Sequence, residues 1–127
     1  MGDHVSALPE ESLRNSSVDY VLTGGDYDFM LLNLANHLTK DESLEPGWYY
    51  RDDGQVKDTG QFQLRHNLDD LPFIDRELTK NHLYNIEYNI KVRPFAYTMA
   101  GRDCPWHKCA FCSWTTLFNN YRVRSPK

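Results

Sequence analysis

The sequence has no run of about 18 apolar residues, the length a membrane-crossing helix needs, so no membrane partner is expected. Its first residues, MGDHVSALPEE, show no basic stretch followed by an apolar one, and no signal peptide is read there. Cysteine is scarce. There are three, an odd number bunched in one place, which argues against the paired framework of a secreted domain. A reducing, cytoplasmic setting is the expectation, and the glycosylation-like Asn15-Ser16-Ser17 is then a chance match. Repeats and low-complexity tracts are absent. Basic side chains are scattered and no reader motif accompanies them, so nucleic acid is not an expected partner. With 127 residues and 40% hydrophobic content, the chain has room for about one domain with a modest core.

What charge there is lies unevenly. Residues 1–80 carry 16 acidic and 7 basic side chains, a balance of -9. Residues 81–127 carry 2 and 7, a balance of +5, which brings the total to -4. All three cysteines are in the positive part. That balance suits an anionic ligand or cluster, and equally a solvated face that a missing partner segment would meet.

Val18 to Leu22 is short, apolar and β-branched, and reads as a buried strand. Thr23-Gly24-Gly25-Asp26 follows as a turn with two residues free to take positive φ. Tyr27 to Leu38 reads as a helix, with Met30, Leu31, Leu34, Ala35 and Leu38 as its apolar stripe. Upstream, Leu8 to Arg14 suits a short helix, with Pro9 in its first turn and Glu10 and Glu11 at its positive end. Asp52-Asp53-Gly54 between Trp48–Arg51 and Gln55–Lys57 signals a hairpin. Asn67 to Arg76 is a polar, proline-bearing connector. Residues 77–92 are ambiguous between strand and helical turn, and Phe95 to Met99 reads as a strand that runs into the cysteine segment. Ser125-Pro126 resembles the start of a helix. A two-layer α/β domain cannot be completed from these pieces, and the chain reads as a fragment cut at both ends.

The cysteine segment is DCPWHKCAFCSW, Asp103 to Trp114, with the spacing Cys104-x4-Cys109-x2-Cys112. Thiols this dense bind zinc or an iron–sulfur cluster, or stay metal-free. Zinc would take His107 as a fourth ligand, giving a small zinc-stabilised structural or binding module. All four ligands would then come from one nine-residue loop, which strains a tetrahedron. An iron–sulfur cluster is the better match, and three cysteines on a four-iron cube leave one iron open for chemistry. Trp106 and Trp114 flank the loop, either shielding it or simply packing. Arg102 and Lys108 either offset cluster charge or face solvent. Asp69, Asp70 and Asp75 lie on a connector that offers paired carboxylates no burial, and His4 and His37 are read as surface or capping residues.

The segment resembles the cluster loop of the radical S-adenosylmethionine enzymes. That family's usual spacing is Cys-x3-Cys-x2-Cys with an aromatic before the last cysteine, a place Phe111 fills here. The extra residue between Cys104 and Cys109 departs from it and is similar to a Cys-x-Trp-x-x-Cys-x-Phe-Cys form in cobalamin-associated branches. Further upstream, VDYVLTGGDYDF and LDDLPFIDR resemble the end of a Rossmann-like cobalamin domain and its linker into the barrel. The family's Gly-Glu-Gly-Glu turn stands here as Gly24-Gly25-Asp26-Tyr27-Asp28.

The resemblance implies an α/β fragment in three parts. Residues 1–42 would be the remnant of the cobalamin-binding domain and 43–92 a hairpin-bearing linker. Residues 93–127 would be the first strand and cluster loop of a partial TIM-type barrel. It implies a 4Fe–4S cluster on Cys104, Cys109 and Cys112, with Phe111 lining the S-adenosylmethionine site, and cobalamin as a further cofactor. One electron from the cluster would split S-adenosylmethionine to methionine and a 5′-deoxyadenosyl radical. The implied partners are a small-molecule or peptide substrate and an electron donor such as flavodoxin or ferredoxin. The groups that would hold the rest of S-adenosylmethionine and the substrate are not in this sequence.

Overall fold

The computed structural model of the chain describes residues 1–83, 98–113 and 120–126. They fall into two compact units, Met1–His66 with Asp103–Tyr121, and Asn67–Arg102 with Arg122–Lys127.

The first unit is a small antiparallel sheet with helices on its two faces. Its elements are α1 (Asp3–Ala7), α2 (Pro9–Arg14), β1 (Tyr20–Leu22), α3 (Tyr27–Lys40), β2 (Trp48–Asp52) and β3 (Gln55–Asp58). β2 is central, paired with β1 on one side and β3 on the other. Strand alternation sorts the side chains. Tyr20 and Leu22 lie opposite Tyr50 and Trp48, and this face meets α3, where Leu22, Trp48 and Met30 form the buried cluster. Burying each of these three contributes about 1.5–3 kcal/mol. Val21 and Tyr49 face the other way, as does Arg51. The Arg51 guanidinium donates to the carbonyls of Leu13 and Ser16, which satisfies carbonyls at the end of α2 that the helix itself leaves open. Leu13, the buried residue of α2, is thereby fixed on this second face.

α2 forms where the sequence places it, with Pro9 in its first turn beside Glu10 and Glu11. The strand expected from Val18 is shorter, beginning at Tyr20, and Val18 is exposed. α3 matches its expected span but not its expected stripe. Leu31 and Leu38 are exposed, while Tyr27, Met30 and Leu34 meet the core. The reason is the return loop. The amide of Asn33 accepts from the Glu45 N–H at 2.9 Å and donates to the Ser43 carbonyl at 3.1 Å. His37 Nδ1 lies 2.7 Å from the Glu42 carbonyl. Those two polar residues turn the helix so that the 27/30/34 line faces inward. His37 thus binds the loop just beyond the end of α3. No helix among the described residues is long and apolar enough to cross a membrane.

The hairpin is as expected. Asp53 and Gly54 have φ of 47° and 79° between β2 and β3, the positive values a two-residue primed turn requires. The glycine turn after β1 holds a correction of detail. Gly24 takes φ 81°, but the second left-handed residue is Asp26 at 53°, not Gly25. Aspartate tolerates that region better than most side chains.

Phe62 packs over this turn. A Cβ on Gly24 would lie 2.2 Å from Phe62 Cδ1, in addition to the positive φ. Gly24→Ala is therefore expected to destabilise the unit by about 1–3 kcal/mol, from overpacking plus backbone strain. Urea denaturation checks this, and Phe62→Ala in the Gly24→Ala background should recover part of the loss.

The second unit gathers the connector and the far end of the chain. β4 (Gly101–Arg102) pairs antiparallel with β5 (Arg122–Val123). Leu68, in the short 3-10 turn Leu68–Asp70, is buried. Arg124 donates to the carbonyls of Leu71 and Pro72 and lies over the Phe73 ring. The Ser125 N–H donates to the Asp69 carboxylate at 2.8 Å, so Ser125 is tied to the connector and lies in no helix. Asp75 accepts from the N–H groups of Glu77 and Leu78. Asp75 thus holds a turn, and Asp69 ties the far end of the chain to the connector. Residues 77–83 form turns and a short 3-10 helix, Asn81–Leu83. The remainder of the ambiguous stretch lies outside the described residues, as does most of the strand expected at Phe95–Met99. Thr98 and Met99 are described and lie in no strand.

Candidate functional site

The cysteine loop belongs to the first unit. It is entered through Asp103, at φ 70°, and bent again at His107, at φ 50°. Beyond the second bend the Cys112 N–H donates to the Cys109 carbonyl at 3.2 Å, closing a four-residue turn with Ala110 and Phe111 at its tip. His107 and this turn bend the nine-residue span from Cys104 to Cys112, which has no helix or strand of its own.

All three cysteines are half-buried and none is in a disulfide. Phe111 is 93% exposed. The Lys108 ammonium sits 5.6 Å from the centre of the Trp106 ring, a cation–π contact worth about 0.5–1 kcal/mol at an exposed site. Lys108 is exposed, one of the two alternatives open to it from the sequence. Arg102 is half-buried within β4, in the second unit, and Trp114 lies outside the described residues. The donor chemistry suits a thiolate-bound cluster in its three unbridged thiols within one short loop, whose charged side chains are Lys108 and Asp103. The loop does not hold them ready-made. Among the described residues no group of three or more His, Cys, Asp or Glu is placed to hold a metal.

A second constellation was not foreseen. His66 is held between two carboxylates, with Nδ1 3.0 Å from Asp26 Oδ2 and Nε2 3.1 Å from Glu45 Oε2. Its ring stacks on Phe29 at 4.5 Å between centroids and 5° between planes. The Asp26 side chain is 0% exposed and that of His66 13%. Asp26 immediately precedes α3, whose first N–H groups favour a negative charge. This is an arrangement that fixes the glycine turn, the helix start and the segment after β3 to one another. No local signal in the sequence marks it, because 40 residues separate Asp26 from His66.

A shallow cleft of about 320 Å³ lies nearby, lined by Ser6, Thr23, Gly24, Tyr49, Asp58 and Phe62 among others. Three of its polar groups are engaged: Ser6 Oγ accepts from the Gly24 N–H, Thr23 Oγ1 donates to the Gly47 carbonyl and Asp58 accepts from the Gly60 N–H.

Against known proteins, the chain is 28% identical over 119 residues to a protein of Pyrococcus horikoshii named uncharacterized methyltransferase PH0819. The match takes in 92% of this chain and 25% of that protein. The chain thus spans about a quarter of the length of the relative it matches. No protein-family model matches the chain, and no solved structure does.

The titration of Tyr27, at the start of α3, gives a local test of the fold around this helix. Its pKa is raised, first by burial and second by the nearby Asp3 carboxylate. A raised value in the folded state means that folding favours the neutral phenol. That contribution is complete below the ordinary value of 10.0 and is lost as pH rises through the folded value. Other tyrosines and lysines titrate in the same range, so the comparison is with Tyr27→Phe. The stability difference between the two proteins should shift toward the variant between pH about 8 and about 11. Urea midpoints at the two pH values measure it.

Proposed function

We propose that Cys104, Cys109 and Cys112 hold a 4Fe–4S cluster, and that the chain is part of a radical S-adenosylmethionine enzyme acting in methyl transfer. The cysteine loop carries this reading: three half-buried thiols within nine residues, none in a disulfide, with an exposed phenylalanine directly before the last. The similarity to a protein named as a methyltransferase supports S-adenosylmethionine as the co-substrate. Metal sites seldom exist fully formed in the empty chain, and ligands close on the metal as it binds. The loop suits that behaviour, since its turn draws the Cys109 and Cys112 backbones together and His107 bends the chain between Cys104 and Cys109.

When bound, such a cluster supplies the single electron that cleaves S-adenosylmethionine. The chain's own part is to furnish three thiolates and leave the fourth position open. Phe111, exposed at the turn's tip, offers a flat apolar surface against which an adenine could stack. Lys108 brings positive charge next to an anionic cluster. The electron donor would be a flavodoxin or ferredoxin, and the substrate a small molecule or peptide. We do not extend the proposal to cobalamin. At the glycine turn, Gly24 is packed under Phe62 and the Asp26 carboxylate is engaged by His66.

Metal competition tests the assignment. Offered iron, sulfide and zinc together without oxygen, the chain is expected to take iron, and His107→Ala to take the same amount. A chain that binds one zinc and loses it in His107→Ala would instead be a structural zinc module built on Cys104, His107, Cys109 and Cys112.

A further inference from the structure

We infer that Cys109 and Cys112 are a redox pair: on exposure of the metal-free loop to a hydroperoxide they form a reversible disulfide, and this bond closes the loop to metal. The second half rests on the cluster assignment above; the first does not.

The geometry comes from the turn. The Cys112 N–H donates to the Cys109 carbonyl at 3.2 Å. A turn of that kind holds its first and fourth Cα atoms within about 7 Å. A disulfide spans Cα atoms about 4.4–6.8 Å apart, so the backbone already holds the pair near the required range. The two residues between them, Ala110 and Phe111, are exposed, so no side chain must leave a core for the sulfurs to meet. Both thiols are half-buried, neither sealed from a small oxidant nor fully in solvent. Cys104 is placed differently. Four residues separate it from Cys109, among them Pro105 and the left-handed His107. Among the described residues no backbone hydrogen bond joins it to Cys109.

The chemistry balances as follows. One cysteine sulfur attacks a peroxide oxygen and the O–O bond breaks. The departing hydroxide is protonated to water, and the sulfur becomes a sulfenic acid. The second sulfur attacks that sulfur, the S–S bond forms and the S–O bond breaks. The hydroxide leaves and takes up the attacking thiol's proton. Two thiols lose two electrons and two protons, and hydrogen peroxide becomes two waters. A dithiol reductant reverses the change. Cys104 is then left as the single thiol of the loop, and a cube that needs three cannot be held. The bond also diverts the oxidised sulfur from the irreversible acids further along the same oxidation series.

The experiment uses the full chain, reduced and metal-free, treated with hydrogen peroxide and examined by intact mass and peptide mapping. The expected product is lighter by two hydrogen atoms, carries one alkylatable thiol, and maps to a Cys109–Cys112 bond. Cys104→Ser should keep that mass loss and Cys112→Ser should abolish it. Iron and sulfide uptake should be blocked in the oxidised chain and restored by dithiothreitol. A bond from Cys104 to either partner, or a gain of oxygen with no disulfide, overturns the pairing. Full iron uptake with the Cys109–Cys112 bond intact overturns the closure to metal. A chain that forms the bond but takes no iron even when reduced counts against the cluster assignment and leaves the redox pair standing.

Discussion

Replacing any one of Cys104, Cys109 and Cys112 by alanine is expected to cut iron retention at least about tenfold, because even outer partners of a metal ligand alter affinity by that much. The metal-free protein should barely notice the change. The three side chains are half-buried in a loop outside the buried cluster of Leu22, Met30 and Trp48, and substitutions at such positions change stability by within about 0.5 kcal/mol. This pairing of outcomes is the informative part. Loss of iron together with loss of fold would say only that the chain no longer folds. Loss of iron from a chain with an unchanged urea midpoint would assign the thiols to the metal. Trp106→Ala is the control within the same loop, expected to retain iron because its ring is exposed.

His66→Ala should do the reverse, lowering stability and sparing the thiols. The substitution removes a hydrogen-bonded partner of an Asp26 side chain that is 0% exposed. Losing a hydrogen bond to a charged group costs about 1.5–3 kcal/mol. The stacked contact with Phe29 at 4.5 Å goes as well. Glu45 suffers less, since it is partly exposed and Arg65 remains 3.3 Å away. An expected loss of about 2 kcal/mol is large beside the 5–15 kcal/mol of an ordinary domain. His66→Gln, which keeps a donor, should lose less, and Glu45→Gln less again. Urea unfolding of the three variants gives the ranking, and a His66→Ala midpoint equal to that of the parent would remove His66 from any structural role.

The sequence was legible wherever the determining signal was local. Pro9 with two glutamates sets α2, the apolar density of 27–38 sets α3, and Asp53-Gly54 sets the hairpin. The cysteine loop was legible for the same reason, its three sulfurs falling within a nine-residue span. What escaped depends on partners distant in the chain. The inward face of α3 is decided by Asn33 and His37 holding the loop at 42–45, a contact that apolar periodicity does not record. The pairing of β1 with β2 joins Leu22 to Trp48, and three apolar residues cannot specify their neighbour. Asp26 and His66 each look like ordinary polar loop residues until the fold brings them within 3.0 Å. Gly24 needs its missing side chain because Phe62 arrives from 38 residues further on, not because of the turn alone.

The central claim is that one short loop holds a cubane cluster through three thiolates. The most direct test is anaerobic reconstitution of the chain with iron and sulfide, followed by quantitation of iron, acid-labile sulfide and zinc, with an absorbance spectrum. The account predicts about four irons and about four sulfides per chain, the content of a cubane cluster held by cysteine, together with a broad brown absorbance. A single tightly bound zinc, with no iron and no colour, would contradict it.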